Sequence, residues 1–168
     1  MRENLNSKII AITGSCGKTS LKELLGSSLK KISKTTYSPK SFNNRYGVPL
    51  SLFNLKQNDN FGVFEIGMDK KGEIKRLSQI IKPDIGVITN ISYAHIKNFK
   101  NIKEIAYAKA EIIDNIKEDG LLVLNKDDKF FKLHKKIALK KNITIKNFSI
   151  KNKYKNISLY NIKKIVNK

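Results

Sequence analysis

The stretch Ile9-Ile10-Ala11-Ile12-Thr13-Gly14-Ser15-Cys16-Gly17-Lys18-Thr19-Ser20-Leu21 decides the fold. Its four leading apolar residues predict a strand buried on both faces. Two glycines then let the backbone turn, and Leu21-Lys22-Glu23-Leu24-Leu25 opens a helical pattern. A buried strand that turns through glycines into a helix is a phosphate-binding device. Backbone N–H groups converge on an anion, and the new helix directs its positive end toward it. Gly14, Ser15, Cys16, Gly17, Lys18, Thr19 and Ser20 are therefore the candidate nucleotide-binding residues. Lys18 is placed to reach terminal phosphates, and Thr19 to offer a hydroxyl to Mg²⁺. The match is to the short form T-G-x-x-G-K-T, because the first glycine of G-x-x-x-x-G-K-[ST] would fall at Ile12. A chance turn is the competing reading, and the placement between strand and helix argues against it.

On both sides of this loop, apolar runs alternate with helical periods. Strands are predicted over Ile9–Thr13, Gly62–Ile66, Ile85–Asn90, Leu121–Asn125 and Ile143–Phe148, and helices over Thr19–Lys31, Gly72–Ile81, Ile102–Ile116 and Asp128–Lys140. Apolar strands separated by helices predict an α/β fold of P-loop type: a mainly parallel sheet with helices on both faces. Residues 1–150 form one expected domain. Residues 151–168 are a basic end, either a frayed tail or the start of further structure, in which only Ile157-Ser158-Leu159 resembles a strand.

The 168 residues carry a net charge of +20, which raises the question of a polyanionic partner. The basic residues are 31 Lys and only 3 Arg, beside 24 Ile and 18 Asn. Lys, Ile and Asn share A/T-rich codons, whereas nucleic-acid surfaces draw on Arg for bidentate contacts. Residues 129–168 hold 13 Lys and no acid, with little aromatic interleaving. A specific nucleic-acid partner is not expected, and a basic nucleic-acid-binding protein is the third-ranked reading. No run approaches the roughly 20 apolar residues of a membrane span, and the apolar run after polar residues 1–8 is too short for a signal peptide. Membrane insertion is not expected. The single cysteine, Cys16, suits a reducing compartment, and cytoplasm is the expected location.

Polar residues stand where the apolar pattern does not call for them. Glu65 closes the run Val63-Phe64-Glu65-Ile66-Gly67, where it is either a solvated strand end or a carboxylate facing Mg²⁺. Thr89-Asn90 ends the next strand and His95 follows; a lone loop histidine is more often surface or core filler than a ligand. Lys109 shares a helical stripe with Ile102, Ile105, Ala106, Ile112, Ile113 and Ile116. A lysine there either snorkels outward, the simpler reading of the helix alone, or loses its proton. A neutral amine can add CO₂ and become a carbamate, a carboxylate-like metal ligand.

These motifs together resemble the central ATP-binding domain of the Mur ligases. The matching stretches are Ile12–Ser20, Ser41-Phe-Asn-Asn-Arg-Tyr-Gly-Val-Pro-Leu50, Phe64–Met68 with Gly72–Ile74, Ile88–Ile91, Ala94-His95, Ala108–Glu111 and Leu124–Asp128. They follow one another in family order over most of residues 9–128, and Ser41–Leu50 and Phe64–Ile74 point to the D-Ala-D-Ala-adding branch. The resemblance implies ATP and Mg²⁺ as cofactors, with Lys18 on the phosphates and Thr19 and Glu65 on one Mg²⁺. It implies His95 and a carbamylated Lys109 at a second Mg²⁺, so that Lys18, His95 and Lys109 are the catalytic candidates. Asn43 or Asn44 would face the muramoyl-peptide substrate, and Cys16 has no catalytic role. The implied reaction is ATP-dependent amide-bond formation in peptidoglycan precursor synthesis, joining D-Ala-D-Ala to a UDP-muramoyl-tripeptide through an acyl phosphate. Family members add a domain that grips the UDP-sugar and one that delivers the amine. The chain is accordingly expected to be a fragment whose central domain stops early. The alternatives are another Mur-type or folylpolyglutamate-like ligase, or a non-catalytic ATP-binding remnant.

Overall fold

The computed structural model describes residues 6–93 and 98–151. Among them, β1 (Lys8–Thr13), β2 (Thr35–Tyr37), β3 (Phe61–Glu65), β4 (Ile85–Ile88), β5 (Leu121–Asn125) and β6 (Thr144–Phe148) form one sheet, ordered β2-β3-β1-β4-β5-β6. Every pairing is parallel. β1 is flanked on both sides, from Lys8↔Phe61 to Ile12↔Glu65 against β3 and from Ile10↔Ile85 to Thr13↔Ile88 against β4. That central position explains its unbroken apolar run, since side chains on both faces must be buried.

The two faces are covered unequally. Ile10 and Ile12, with Val63 and Val87, meet Leu21, Leu25 and Leu29 of α1 (Lys18–Ile32). Ile9, Ala11, Phe64, Ile88, Leu122 and Leu124 face the other way. There they join a core supplied by α2 (Gly47–Phe53), α3 (Glu73–Ile81), α4 (Ile102–Ala110) and α5 (Phe131–Ala138). The predicted two-sided parallel sheet is what the chain forms. No described helix is long and apolar enough to cross a membrane.

Element ends differ from the sequence reading for local reasons. β4 stops at Ile88, because Thr89 and Asn90 turn toward the glycine loop. The Ile102–Ile116 helix is α-helical to Ala110 and tightens to a 3-10 turn over Glu111–Asn115, which still buries Ile112 and Ile113. The last helix begins at Phe131 rather than Asp128, whose carboxylate instead accepts the N–H groups of Ile91 and Phe130. β2 and α2 are additions to the reading. β2 is three residues long, too short for a period to show. α2 carries Pro49 in its first turn, where a missing N–H costs nothing, and the Asn44 side chain accepts the N–H groups of Tyr46 and Gly47. The Ile157-Ser158-Leu159 strand and all of the basic end beyond Lys151 lie outside the described residues.

The topology places the site. α1 leads from β1 toward the β2–β3 edge, whereas the chain leaving β4 proceeds toward β5. The connections leaving the carboxyl ends of adjacent β1 and β4 thus run to opposite sides, the switch point at which open α/β sheets bind ligands.

Candidate functional site

The loop after β1 is held open by its glycines and by the end of β4. Gly14 has φ +146°, and a Cβ there would lie 1.9 Å from the Thr89 hydroxyl oxygen. Gly17 has φ +78° and starts α1 with no side chain capping the helix. Most residues avoid that conformation, and the uncapped first turn leaves its N–H groups to a ligand. Asn90 steadies the loop from beneath: its carbonyl accepts the Ser15 N–H (2.9 Å) and its side-chain oxygen the Cys16 N–H (2.9 Å). Thr89 donates its hydroxyl to the Cys16 carbonyl at 2.7 Å. Lys18 lies over the loop, with Nζ 3.4 Å from the Ser15 carbonyl. Ser20 is exposed in the first turn of α1.

Glu65, at the end of β3, is 1% exposed, so the solvated strand-end reading does not describe it. Thr19 donates its hydroxyl to Oε2 and Asn43 donates its amide to Oε1, each at 2.7 Å. The Asn43 carbonyl also accepts the Gly67 N–H at 2.7 Å. Asn43 is thereby turned inward onto the acid, while the exposed Asn44 uses its side chain to cap α2.

Lys109 does not snorkel. It is 1% exposed and donates from Nζ to the Gly14 carbonyl at 3.0 Å, directly behind the phosphate loop. Burial lowers its pKa from 10.5 to about 7, with the nearby Lys18 charge acting in the same direction and Cys16 acting against it. Helical periodicity placed Lys109 on its apolar stripe but favoured snorkelling; its inward position was expected only from the family resemblance. His95 lies outside the described residues.

An uncapped glycine-bounded helix start with a lysine fits a polyphosphate. The Thr19 hydroxyl and a buried carboxylate fit Mg²⁺, which takes one or two protein oxygens and completes its shell with water and phosphate. Among the described residues no three His, Cys, Asp or Glu side chains cluster. Residues 12–167 match the family described as Mur ligase middle domain. The chain belongs to the Mur ligase family.

The relatives of this Mur ligase domain agree in detail. It is 43% identical over 164 residues to UDP-N-acetylmuramoyl-tripeptide–D-alanyl-D-alanine ligase of Buchnera aphidicola, covering 97% of this chain and 36% of that protein. A crystal structure of MurF from Acinetobacter baumannii superposes with a TM-score of 0.83 at 36% identity, over 88% of this chain and 32% of that one. MurF ligase from Thermotoga maritima, solved in complex with ADP, gives 0.79 at 29% identity, over 90% and 35% of the two chains. The chain spans about a third of the length of the curated relatives it matches.

Sequence reasoning passed over two residues of this Mur ligase site. One is Ser38, whose hydroxyl accepts the Glu65 N–H at 3.3 Å. The other is Lys22, fully buried on α1 beside the apolar stripe. Its only signal is the i, i+4 spacing to Gly26, a small residue that admits the Tyr37 ring of β2 against the helix. Nothing in a lone lysine of a helix discloses which carbonyls it will meet.

Proposed function

We propose that this domain is the nucleotide-binding part of an ATP-dependent ligase that adds D-Ala-D-Ala to a UDP-muramoyl-tripeptide in peptidoglycan precursor synthesis, in the cytoplasm. The observation that carries this reading is the convergence of Lys18, the Thr19–Glu65 pair and the buried Lys109 on one glycine loop. When bound, ATP with Mg²⁺ would supply the γ-phosphoryl group that activates the peptide carboxylate, ADP leaving, so that the D-Ala-D-Ala amine could displace phosphate as the amide forms. The chain's residues bind and orient. The first-turn N–H groups of α1 and the Lys18 ammonium hold the phosphates and offset negative charge as it shifts between oxygens. Thr19 and Glu65 would hold one Mg²⁺.

Lys109 takes a second role in this reading. With a pKa of about 7, a large share of the side chain is neutral amine near neutral pH. Its Nζ lone pair can bond to the carbon of CO₂ and release a proton to solvent, leaving a carbamate. That anion, with His95, would hold a second Mg²⁺. It would also relieve the repulsion between Lys109 and Lys18.

The test is calorimetric titration of the chain with Mg²⁺–ATP, wild type against Lys18→Ala. The expected loss is on the order of 2–4 kcal/mol, for one charge-assisted phosphate contact in a sheltered loop. Equal binding by the two proteins overturns the assignment.

A further inference from the structure

Lys22 is among the largest side chains fully buried in the described structure, and the phosphate-loop chemistry makes no use of it. Its Nζ lies 2.7 Å from the Ser38 carbonyl, 2.7 Å from the Lys40 carbonyl and 2.5 Å from Glu23 Oε1. All three ammonium protons are therefore placed, yet the one carboxylate among the acceptors belongs to a half-exposed residue. An apolar side chain would fill this space without desolvating a charge. What an apolar residue cannot do is gather two carbonyls of one turn onto a single point.

The turn it gathers leads straight to Glu65. Lys40 sits at φ +45°, a left-handed conformation that a residue with a side chain keeps only when its surroundings hold it. Within the same turn, Ser38 accepts the Glu65 N–H through its hydroxyl, and Asn43, three residues beyond Lys40, donates to Glu65 Oε1. The remaining Glu65 oxygen is bonded by Thr19, one helical turn before Lys22 on α1. The circuit Lys22–turn–Asn43–Glu65–Thr19 begins and ends on the same helix. We propose that Lys22 is a positioning residue: by drawing the Ser38 and Lys40 carbonyls onto its ammonium, it holds Asn43 against Glu65 and sets the direction in which that carboxylate meets a divalent cation. This rests on the reading of Glu65 as the carboxylate that faces Mg²⁺.

The experiment titrates the full chain with ATP, once with Mg²⁺ and once with EDTA, in wild type, Lys22→Met, Asn43→Ala, the double variant and Glu65→Gln. Thermal melting reports stability separately. The expected result is that Lys22→Met lowers affinity for Mg²⁺–ATP about tenfold and leaves metal-free ATP binding within about twofold. Asn43→Ala lowers it comparably, and the double variant loses little more than either single one. A Lys22→Met protein that melts lower but keeps the full gain from Mg²⁺, while Glu65→Gln loses that gain, overturns the proposal and spares the Glu65 reading. If Glu65→Gln also keeps the gain, both fall. Should Lys22→Met not fold, Lys22→Gln, which retains two donors, takes its place in the same cycle. Additive losses with Asn43→Ala then overturn the proposal.

Discussion

Replacing Lys109 by Met exposes the energetic cost of keeping an ammonium behind the phosphate loop. The pKa falls from 10.5 in the unfolded chain to about 7 in the folded one, a difference worth about 5 kcal/mol at 1.36 kcal/mol per unit. Above 10.5 the group is neutral in both states and the cost is absent. As pH falls from 10.5 toward 7, the unfolded chain takes up a proton that the folded chain refuses, and the folded state loses stability. Below about 7 both states are protonated and the full cost persists. Met has similar length and no charge, but it forfeits the hydrogen bond to the Gly14 carbonyl, which at a charged donor is worth about 1.5–3 kcal/mol. At pH 6, Lys109→Met should therefore be more stable than wild type by about 2–3 kcal/mol. Between pH 7 and pH 9 the wild type should regain about 2 kcal/mol on the variant. Urea denaturation at pH 6, 7, 8 and 9 in buffers freed of CO₂ measures this. Stability curves that stay parallel from pH 7 to 9 would refute the claim that Lys109 is held buried against its charge.

Gly14→Ala should cost about 2–4 kcal/mol in denaturant unfolding and abolish Mg²⁺–ATP binding, because its Cβ meets the Thr89 hydroxyl at 1.9 Å and its φ is +146°; unchanged unfolding would contradict the loop geometry. His134 is buried with Nε2 3.1 Å from the Ala106 carbonyl, and burial lowers its pKa. The folded chain should therefore lose stability as pH falls below about 6.5, at up to about 1.4 kcal/mol per pH unit. His134→Leu should flatten that slope, and a slope of the same size in the variant would assign it elsewhere. Binding of a DNA duplex should be weak, indifferent to sequence and lost in moderate salt, as measured by fluorescence anisotropy. Tight sequence-selective binding at physiological salt would show that the lysines of residues 129–168 are a nucleic-acid surface.

The sequence by itself determined the parallel sheet, the glycine loop and the place of Lys109 on an isoleucine-lined helix face. Each of these is written in a short-range signal: an unbroken apolar run for a strand with neighbours on both sides, two glycines where φ turns positive, and a 3.6-residue period that places a side chain on a face. Glu65 was legible as an acid ending a buried run, but not as an acid with both oxygens bonded, since Thr19 and Asn43 come from segments 46 and 22 residues away. Tertiary structure alone decided which way Asn43 and Asn44 point, because one amide is drawn to a buried carboxylate and the other to the open N–H groups of α2. It also decided that Lys22 is buried. A helix sets the side of the cylinder on which a lysine stands; whether water or a turn of carbonyls waits there depends on how β2 and the turn after it pack across α1, and that packing is settled by the whole sheet.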